Sequence, residues 1–233
     1  MKLSRILLVF MILFGLQNGM AHALWVETNT AGKKGVSHSV KVYFAEVGES
    51  WEAVSGKEWS MVKNFELWLQ SPDGKLSQLK TNVQKDYYQA DFIPSQNGTY
   101  QVIAKNITIG PLNFPNTPAF VPYFYAKSNV QVGNSKATKS EYKIPLNFNI
   151  IQHGNQKKID LKVPEYVSGK VQVTVFTPSN ELKTFKDLKN GLLEYAFTEK
   201  GNYQIEIQYK DDRPGDGYQF VIHTLTSNLF ISN

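Results

Sequence analysis

The sequence predicts an all-β protein of two tandem β-sandwich domains, preceded by a signal peptide. Its β-branched and aromatic residues, which include 14 Phe, 12 Tyr and 4 Trp, fall in short runs that end at Gly, Pro, Asn or Asp, as is typical of strands and turns. After residue 23 no long apolar stripe recurs at helical spacing, and residues 56–62 form one brief helical candidate. A strand-and-turn unit occurs twice, which predicts two domains of similar architecture.

The first 23 residues have the three parts of a secretory signal peptide. Two basic residues, Lys2 and Arg5, precede an apolar run over residues 6–16, and small residues follow. That run would span only about half of a bilayer core of roughly 30 Å, which is too short for a permanent anchor. Cleavage is expected after Ala21 or after Ala23, and it would deliver the protein to the periplasm or the medium.

Charge and composition exclude several functions. Two of the 25 Lys+Arg residues lie in the predicted signal peptide, so 23 basic residues against 20 acidic ones give the mature chain a charge of about +3. These charges are interspersed, which argues against nucleic-acid binding. No cysteine is present, so disulfides and thiol catalysis are excluded, and the exported protein must be stabilised by its core. No membrane span is expected in the mature chain.

The repeated unit indicates where the two domains lie. Residues 65–76 resemble residues 171–182, since each is an alternating strand that ends in a proline-containing turn, and the Gly-x-Tyr units at Gly98 and Gly201 are 103 residues apart. A tyrosine in this place suits the corner of an immunoglobulin-like sandwich, with its ring buried and its hydroxyl bonded to backbone. The predicted divisions are a signal peptide at 1–23, a first sandwich at 24–133, a polar linker at 134–140 and a second sandwich at 141–233.

Residues 107–125 do not fit the repeat, because they contain four prolines among large apolar residues. Proline cannot donate a hydrogen bond to a ladder, so no central strand is expected there. Two interpretations are open: the segment is a loop that packs over a sheet edge, or part of it is an exposed patch for a partner. Phe114 and Phe120 are the candidate contacts under the second interpretation.

The sequence carries no recognisable catalytic signature. It has no Gly-x-Ser-x-Gly elbow, phosphate-binding loop, dinucleotide fingerprint or two-histidine zinc helix. We therefore expect a binding protein and not an enzyme. Exposed aromatic residues are the natural contacts for a glycan or a protein, and Trp51 and Trp59 are the candidates.

Histidine is scarce in this chain, and His22 has the clearest chemistry. If cleavage follows Ala21, His22 becomes the first residue and offers its α-amine and an imidazole nitrogen to one metal ion. Such ligands suit copper and nickel. If cleavage follows Ala23, His22 is lost. His38 and His223, both in predicted strands, are the candidate second ligands.

The first half of the chain resembles a known family. Four segments carry the resemblance: Ala21-His22-x-Leu24-Trp25-Val26-Glu27, Gly35-x-x-x-x-Val40-x-Val42-Tyr43-Phe44, the Pro-Asp-Gly turn and the Gly-Thr-Tyr strand. Together they resemble the uncharacterised periplasmic NikM-like family, which includes a component that accompanies nickel and cobalt importers. The second half looks like the divergent carbohydrate-binding-like or carboxypeptidase-regulatory-like sandwich of that family. The resemblance implies a periplasmic protein linked to transition-metal uptake, with His22 as a candidate ligand.

Two functions are therefore predicted. The first is an exported, non-catalytic binding or accessory protein for the handling or uptake of nickel, cobalt or copper, with a metal importer or an outer-membrane or periplasmic protein as partner. Its candidate ligands are His22, His223 and His38. The alternative is a sandwich that binds a glycan or a protein. Its candidate contacts are Trp51, Trp59, Phe114 and Phe120.

Overall fold

Three β-sheets make up the computed structural model, which describes residues 22–134, 142, 144–153, 156–167 and 170–232. Helical structure in this part of the chain is limited to α1 (Trp59–Val62) and a 3-10 turn at Glu165–Val167. The all-β prediction is confirmed, and α1 falls inside the predicted segment 56–62. The predicted signal peptide up to Ala21, and all of the predicted linker except Asn134, lie outside the described residues.

The described chain contains strands in both halves. Those of the first half are β1 (His22–Thr28), β2 (Ala31–Gly32), β3 (His38–Glu46), β4 (Glu66–Gln70), β5 (Leu76–Gln78), β6 (Asn82–Val83), β7 (Tyr88–Phe92), β8 (Gly98–Asn106), β9 (Leu112–Phe114) and β10 (Thr117–Val132). Those of the second half are β11 (Asn147–His153), β12 (Gln156–Lys162), β13 (Val171–Phe176), β14 (Leu182–Leu188), β15 (Gly191–Leu193), β16 (Gly201–Asp211) and β17 (Phe220–Ile231). No helix among the described residues is long and apolar enough to cross a membrane.

The strands form two sandwiches that share a central sheet. In the first sandwich, an outer sheet of order β1-β3-β7-β6 packs on strands β10-β8-β4-β5, and in the second, the outer sheet β11-β12-β15 packs on strands β17-β16-β13-β14. Because β10 pairs with β17, the two inner sheets join into one ten-stranded sheet, in which β2 and β9 are short additions beside β10. The predicted β-sandwich class is confirmed.

The two inner sheets have matching turns, as the sequence repeat implies. In the turn after β4, the amide of Gly74 donates to the carbonyl of Ser71 at 2.8 Å, and in the turn after β13, the amide of Asn180 donates to the carbonyl of Thr177 at 3.0 Å. Gly74 and Asn180 both adopt positive φ, at 87° and 64°. Glycine and asparagine are the residues that accept this conformation most readily.

Both sandwiches contain the predicted tyrosine corner. The hydroxyl of Tyr100 accepts hydrogen bonds from the amides of Ser95 and Gln96, each at 3.0 Å. The hydroxyl of Tyr203 accepts one from the amide of Glu199 at 2.8 Å. Both tyrosine rings are buried in the cores, so each ring anchors a strand while its hydroxyl satisfies backbone groups of the preceding turn.

A parallel ladder between β10 and β17 joins the sandwiches. It runs from the pair Phe120 and Phe220 to the pair Lys127 and Ser227. The two strands are equivalent in the repeat, and parallel pairing of equivalent strands relates the sandwiches by a rotation about the strand direction. Such a rotation exchanges the faces of a sheet, so the outer sheets lie on opposite faces of the central sheet.

Core packing agrees with this arrangement. Phe124 and Ala126 of β10 belong to the core of the first sandwich, whereas Tyr125, between them, belongs to the core of the second. Residues alternate between the two faces of a strand, so β10 contributes to both cores. Burial is continuous from Phe124 to Ser128, and the apolar residues 120–126 show no alternation with polar ones because both faces of the strand are covered.

The structure corrects the expectation that residues 107–125 hold no central strand. β10 begins at Thr117 and contains Pro118 and Pro122, yet it lies in the middle of the ten-stranded sheet. Among the described residues, β17 is the only strand paired with β10 from Val121 to Lys127, because the ladder with β9 ends at Phe120 and the ladder with β8 starts at Ser128. The second edge of β10 therefore carries no ladder at Pro122, and proline is tolerated there.

Backbone carbonyls at the edge of the first outer sheet accept hydrogen bonds from side chains of β17. The hydroxyl of Thr226 donates a hydrogen bond to the carbonyl of Leu24, and the Nδ2 of Asn228 donates one to the carbonyl of Val26 at 3.1 Å. Leu24 and Val26 lie on β1, which is the end strand of its sheet. Two backbone acceptors of an edge strand are thus capped inside the protein.

The edge of the second outer sheet likewise accepts hydrogen bonds from a side chain of β10. The Nζ of Lys127 donates to the side-chain oxygen of Asn147 and to the carbonyl of Phe148, both on the end strand β11. Lys127 is buried, and its ammonium group also lies 4.2 Å from the centroid of the Phe148 ring. Each sandwich therefore caps an edge strand of the other.

The bond between Thr226 and Leu24 should contribute measurably to stability. Thr226→Val keeps the shape of the side chain and removes the hydroxyl, so a buried carbonyl loses its donor, and we expect a loss of about 1–2 kcal/mol in the free energy of unfolding. Urea denaturation measures this. The matched control is Thr184→Val on the exposed strand β14, which should change stability by less than about 0.5 kcal/mol. Equal stability of the two variants would contradict a contribution of the bond between Thr226 and Leu24 to stability.

Candidate functional site

The central sheet opens at one end of the β10 and β17 ladder. Beyond the last pair, Lys127 and Ser227, β10 continues beside β8 and β2, whereas β17 continues beside β16 up to Ile231. The two strands therefore separate after this pair. We call the space that opens between them the junction crevice.

Two cavities occupy the junction crevice, one on each face of the central sheet. The first cavity has a volume of about 410 Å³ and is lined partly by Glu27 and Thr28 of β1. The second has a volume of about 430 Å³ and is lined partly by Phe148, Asn149 and Ile150 of β11. Both volumes lie within the range of about 300–1,000 Å³ that is usual for small-molecule sites.

Side-chain amides are the most numerous polar groups that line the first cavity. Its four amides are Asn29, Asn202, Gln204 and Asn228. The Oε1 of Gln204 accepts a hydrogen bond from the amide of Gly48 at 2.8 Å, and its Nε2 makes none within the described residues. Asn202 makes no side-chain hydrogen bond within that part of the chain, so several donors and acceptors are available to a ligand.

Two of these amides are held in place by backbone groups. Asn29 accepts a hydrogen bond from the amide of Ala31 at 3.0 Å through Oδ1, and Asn228 donates to the carbonyl of Val26 through Nδ2. In each case the remaining atom of the amide has no hydrogen-bond partner among the described residues. A fixed amide with one unengaged atom is suited to orient a polar ligand, because little side-chain freedom is lost on binding.

Aromatic rings form the apolar part of the first cavity. Trp51 stacks on Tyr43 with a centroid distance of 4.4 Å and an interplanar angle of 24°. Phe176 and Phe230 also line the cavity, and Phe230 is 47% exposed. The stack on Tyr43 holds the indole of Trp51 in a fixed orientation. The first cavity thus combines rigid rings with unengaged amides.

The formal charge of the crevice is low. Glu27 and Glu49 are the charged residues that line the first cavity, and Lys127 is the charged residue of the second. Lys127 is already bonded to Asn147 and Phe148. The first cavity therefore disfavours an anion, because two carboxylates line it.

Of the predicted aromatic contacts, only Trp51 lines the crevice. Trp59 is 1% exposed, and its Nε1 donates to the carbonyl of Glu52 at 3.0 Å, so its prediction as a surface contact is corrected. Phe120 is buried as well, where it stacks on Phe220 at 5.3 Å. Phe114 is 41% exposed, but it lines neither cavity.

The three candidate metal ligands lie in different environments. His22 contacts two carboxylates, with Nε2 at 3.0 Å from Glu52 and Nδ1 at 3.4 Å from Glu46. His38 is buried, and its Nε2 lies 2.9 Å from the hydroxyl of Thr28.

His223, the third candidate, is buried between aromatic rings of the second core. It stacks on Tyr209 with a centroid distance of 4.4 Å. No hydrogen bond or ring contact joins any two of the three histidines, and the described residues contain no group of three or more His, Cys, Asp or Glu placed to hold a metal ion. Metal binding through His22, His38 or His223 stays a prediction, as does the link to an importer.

Burial shifts the pKa values of His223 and Glu206. Burial lowers the pKa of His223 to about 4, and Arg213 adds to this effect while Asp211 opposes it. Burial raises the pKa of the Glu206 carboxyl to about 8, with a further contribution from Glu46. Both groups are therefore held in their neutral forms near pH 7.

Sequence reasoning missed most of the crevice residues. Asn202, Gln204 and Asn228 lie in the strands β16 and β17 and resemble ordinary solvent-facing positions in the sequence. Their proximity to Trp51 depends on the pairing of β10 with β17. No local pattern reports that pairing, so a sequence signal could have identified Trp51 but not its neighbours.

Comparison with known proteins gives no assignment. No protein-family model matches the chain, and no curated protein matches it. Among solved structures, the Salmonella α2-macroglobulin that had reacted with methylamine matches with a TM-score of 0.32 and 9% identity over 92% of this chain. The 47-kilodalton lipoprotein of Treponema pallidum matches with a TM-score of 0.29 and 14% identity over 90% of this chain.

A two-domain fibronectin type-III segment of chicken tenascin matches with a TM-score of 0.24 and 10% identity, over 88% of this chain and 97% of that one. The chain spans only 15% of the macroglobulin and 52% of the lipoprotein. Likenesses with TM-scores this low say nothing about ligand or activity.

Protonation of His223 should destabilise the protein in acid. Its pKa is about 4 when folded, below the ordinary value of 6.5, so the folded state binds fewer protons. The stability that the neutral ring contributes is complete above pH 6.5 and is lost as the pH falls towards 4, by up to about 3 kcal/mol. His223→Phe should remove this part of the pH dependence in urea unfolding between pH 4 and 7. His153→Phe, at an exposed site, should leave this pH dependence in place. If the stability of His223→Phe changed with pH as much as that of the parent, the prediction would be refuted.

Glu206 should limit stability at the other end of the pH range. Its folded pKa of about 8 lies above the ordinary value of 4.5. The contribution of the neutral carboxyl to the stability of the fold is therefore complete below pH 4.5 and is lost as the pH rises through 8. Glu206→Gln cannot ionise. We expect it to be more stable than the parent by a few kcal/mol at pH 9 and similar at pH 4. Glu194→Gln, on an exposed side chain, is the control, and equal effects of the two substitutions at pH 9 would contradict the burial argument.

Proposed function

We propose that this chain is an exported, non-catalytic binding module that takes a neutral, hydroxyl-rich glycan in the first cavity of the junction crevice. The observation that supports this most is the combination of Trp51 with four amides in one cavity. Sugar hydroxyls both donate and accept hydrogen bonds, so they match side-chain amides, which offer both kinds of group. The apolar face of a sugar ring packs on aromatic rings such as Trp51.

A glycan fits the cavity better than an extended peptide does. A peptide that adds to a sheet needs an unpaired strand edge. The end strand that lines the first cavity is β1, and its carbonyls at Leu24 and Val26 already accept hydrogen bonds from side chains of β17. An acidic ligand would meet Glu27 and Glu49. A neutral polyol can bond to the amides and pack on the rings. It needs no unpaired strand edge, and the two carboxylates do not repel it.

Glycan binding should depend on Trp51. On an array of neutral and acidic oligosaccharides, we expect the protein to bind neutral members, and Trp51→Ala should weaken binding at least tenfold, which corresponds to about 1.4 kcal/mol. Trp68→Ala is the matched control, because Trp68 is part-exposed on β4 and lines neither cavity. Absence of neutral glycan binding, or equal binding by Trp51→Ala and the parent, would overturn the proposal.

Export is part of the same proposal, with cleavage after Ala21. His22 and Ala23 form the first pairs of β1, with Glu46 and Ala45 on β3. Ala23 is only 1% exposed, so cleavage after Ala23 would remove a buried residue and two ladder pairs. This supports the cleavage position that retains His22.

The mature N-terminus can be measured directly. We expect mass spectrometry of the protein recovered from the periplasm or the medium to give a chain that begins at His22. A chain that begins at Leu24 would contradict the cleavage position, and a chain that still contains the first 21 residues would contradict export.

A further inference from the structure

The second cavity has the same chemical character as the first. Gln101 donates to Asn129 at 3.2 Å, and Thr99 donates to Gln131 at 2.8 Å, so a row of bonded polar side chains lines one wall. Asn149 lies on β11 in the facing wall and makes no side-chain hydrogen bond within the described residues.

Apolar groups complete the second cavity. Phe148, Ile150 and Leu229 line it beside the amides. The ring of Phe148 is fixed, because the ammonium group of Lys127 lies over it at 4.2 Å. The second cavity therefore offers the same pairing of amide groups and apolar surface as the first, without an unengaged carboxylate.

The two cavities share part of their lining. Thr30, Ser128, Asn228 and Phe230 line both. Phe230 is 47% exposed, and the Oδ1 of Asn228 makes no hydrogen bond within the described part of the chain. A ligand that fills the first cavity is thus already in contact with residues that line the second.

We propose that the two cavities form one bipartite site, in which an extended oligosaccharide passes across Phe230 from the first cavity to the second. The inference rests on the proposed glycan function and adds the length of the ligand. Thr30, Ser128, Asn228 and Phe230 form the contact between the two parts. Trp51 acts on the sugar units in the first cavity, and Asn149 acts on those in the second.

Chain length is the variable that tests the inference. The probes are the neutral oligosaccharides that bind on the array, each prepared in lengths of one to six sugar units and measured by calorimetry. We expect the longest members to bind at least tenfold more tightly than the shortest. Asn149→Ala should abolish most of that gain and leave the affinity for the shortest binder unchanged, whereas Trp51→Ala should weaken all lengths.

The outcomes separate the inference from the function on which it rests. If Trp51→Ala weakens binding but length and Asn149→Ala have no effect, the bipartite site is refuted and the glycan function stands. If no neutral oligosaccharide of any length binds, both are refuted. Gln101→Ala provides a second variant in the second cavity with the same expected result. Thermal denaturation of each variant checks that a loss of affinity does not come from unfolding.

Discussion

The parallel ladder between β10 and β17 is the interaction on which the rest of the structure depends. It converts two separate sandwiches into one body, since it runs over eight residue pairs, from Phe120 and Phe220 to Lys127 and Ser227. It also places the outer sheets on opposite faces, so both strands are covered on each side. The apolar run over residues 120–126 of β10 follows from this double burial. The crevice exists because the ladder stops at Lys127 and Ser227, beyond which β10 pairs with β8 and β2 while β17 stays beside β16.

Side chains beside the ladder form hydrogen bonds from each sandwich to the edge strand of the other. Thr226 and Asn228 of β17 bond to carbonyls of β1, and Lys127 of β10 bonds to β11. An edge strand with unpaired backbone groups is a site for unwanted association, so these bonds protect both outer sheets. They also hold the walls of the crevice, because Asn228 belongs to the capping set and to both cavities. The stability of the interface and the shape of the site thus depend on some of the same residues.

Much of the fold could be predicted from local sequence. The repeated strands, the turns at Gly74 and Asn180 and the corners at Tyr100 and Tyr203 follow from period-two alternation and from residues with special backbone or hydrogen-bonding roles. β10 was missed because the argument from proline assumes that both edges of a central strand are bonded. At Pro122 only one edge is, and that depends on which strand lies beside it.

Most residues of the junction crevice could not be predicted from the sequence, for a similar reason. Trp51 could be selected as an aromatic residue between strands, but Trp59 looked equivalent and is buried by packing that the sequence does not display. Gln204 and Asn228 come from strands more than 150 residues beyond Trp51 in the chain. They meet it only through the contact between the two sandwiches. A site built at such a contact cannot be read from either domain alone.

Hydrogen exchange of the backbone amides is the most direct test of the ladder. The amides that bond β10 to β17 within the paired segments Phe120–Lys127 and Phe220–Ser227 should exchange only through global unfolding, and they should be among the slowest in the protein. Fast exchange of these amides, at rates close to that of the exposed turn residue Lys34, would show that the sandwiches are not joined by this ladder. The junction crevice would then have no fixed form.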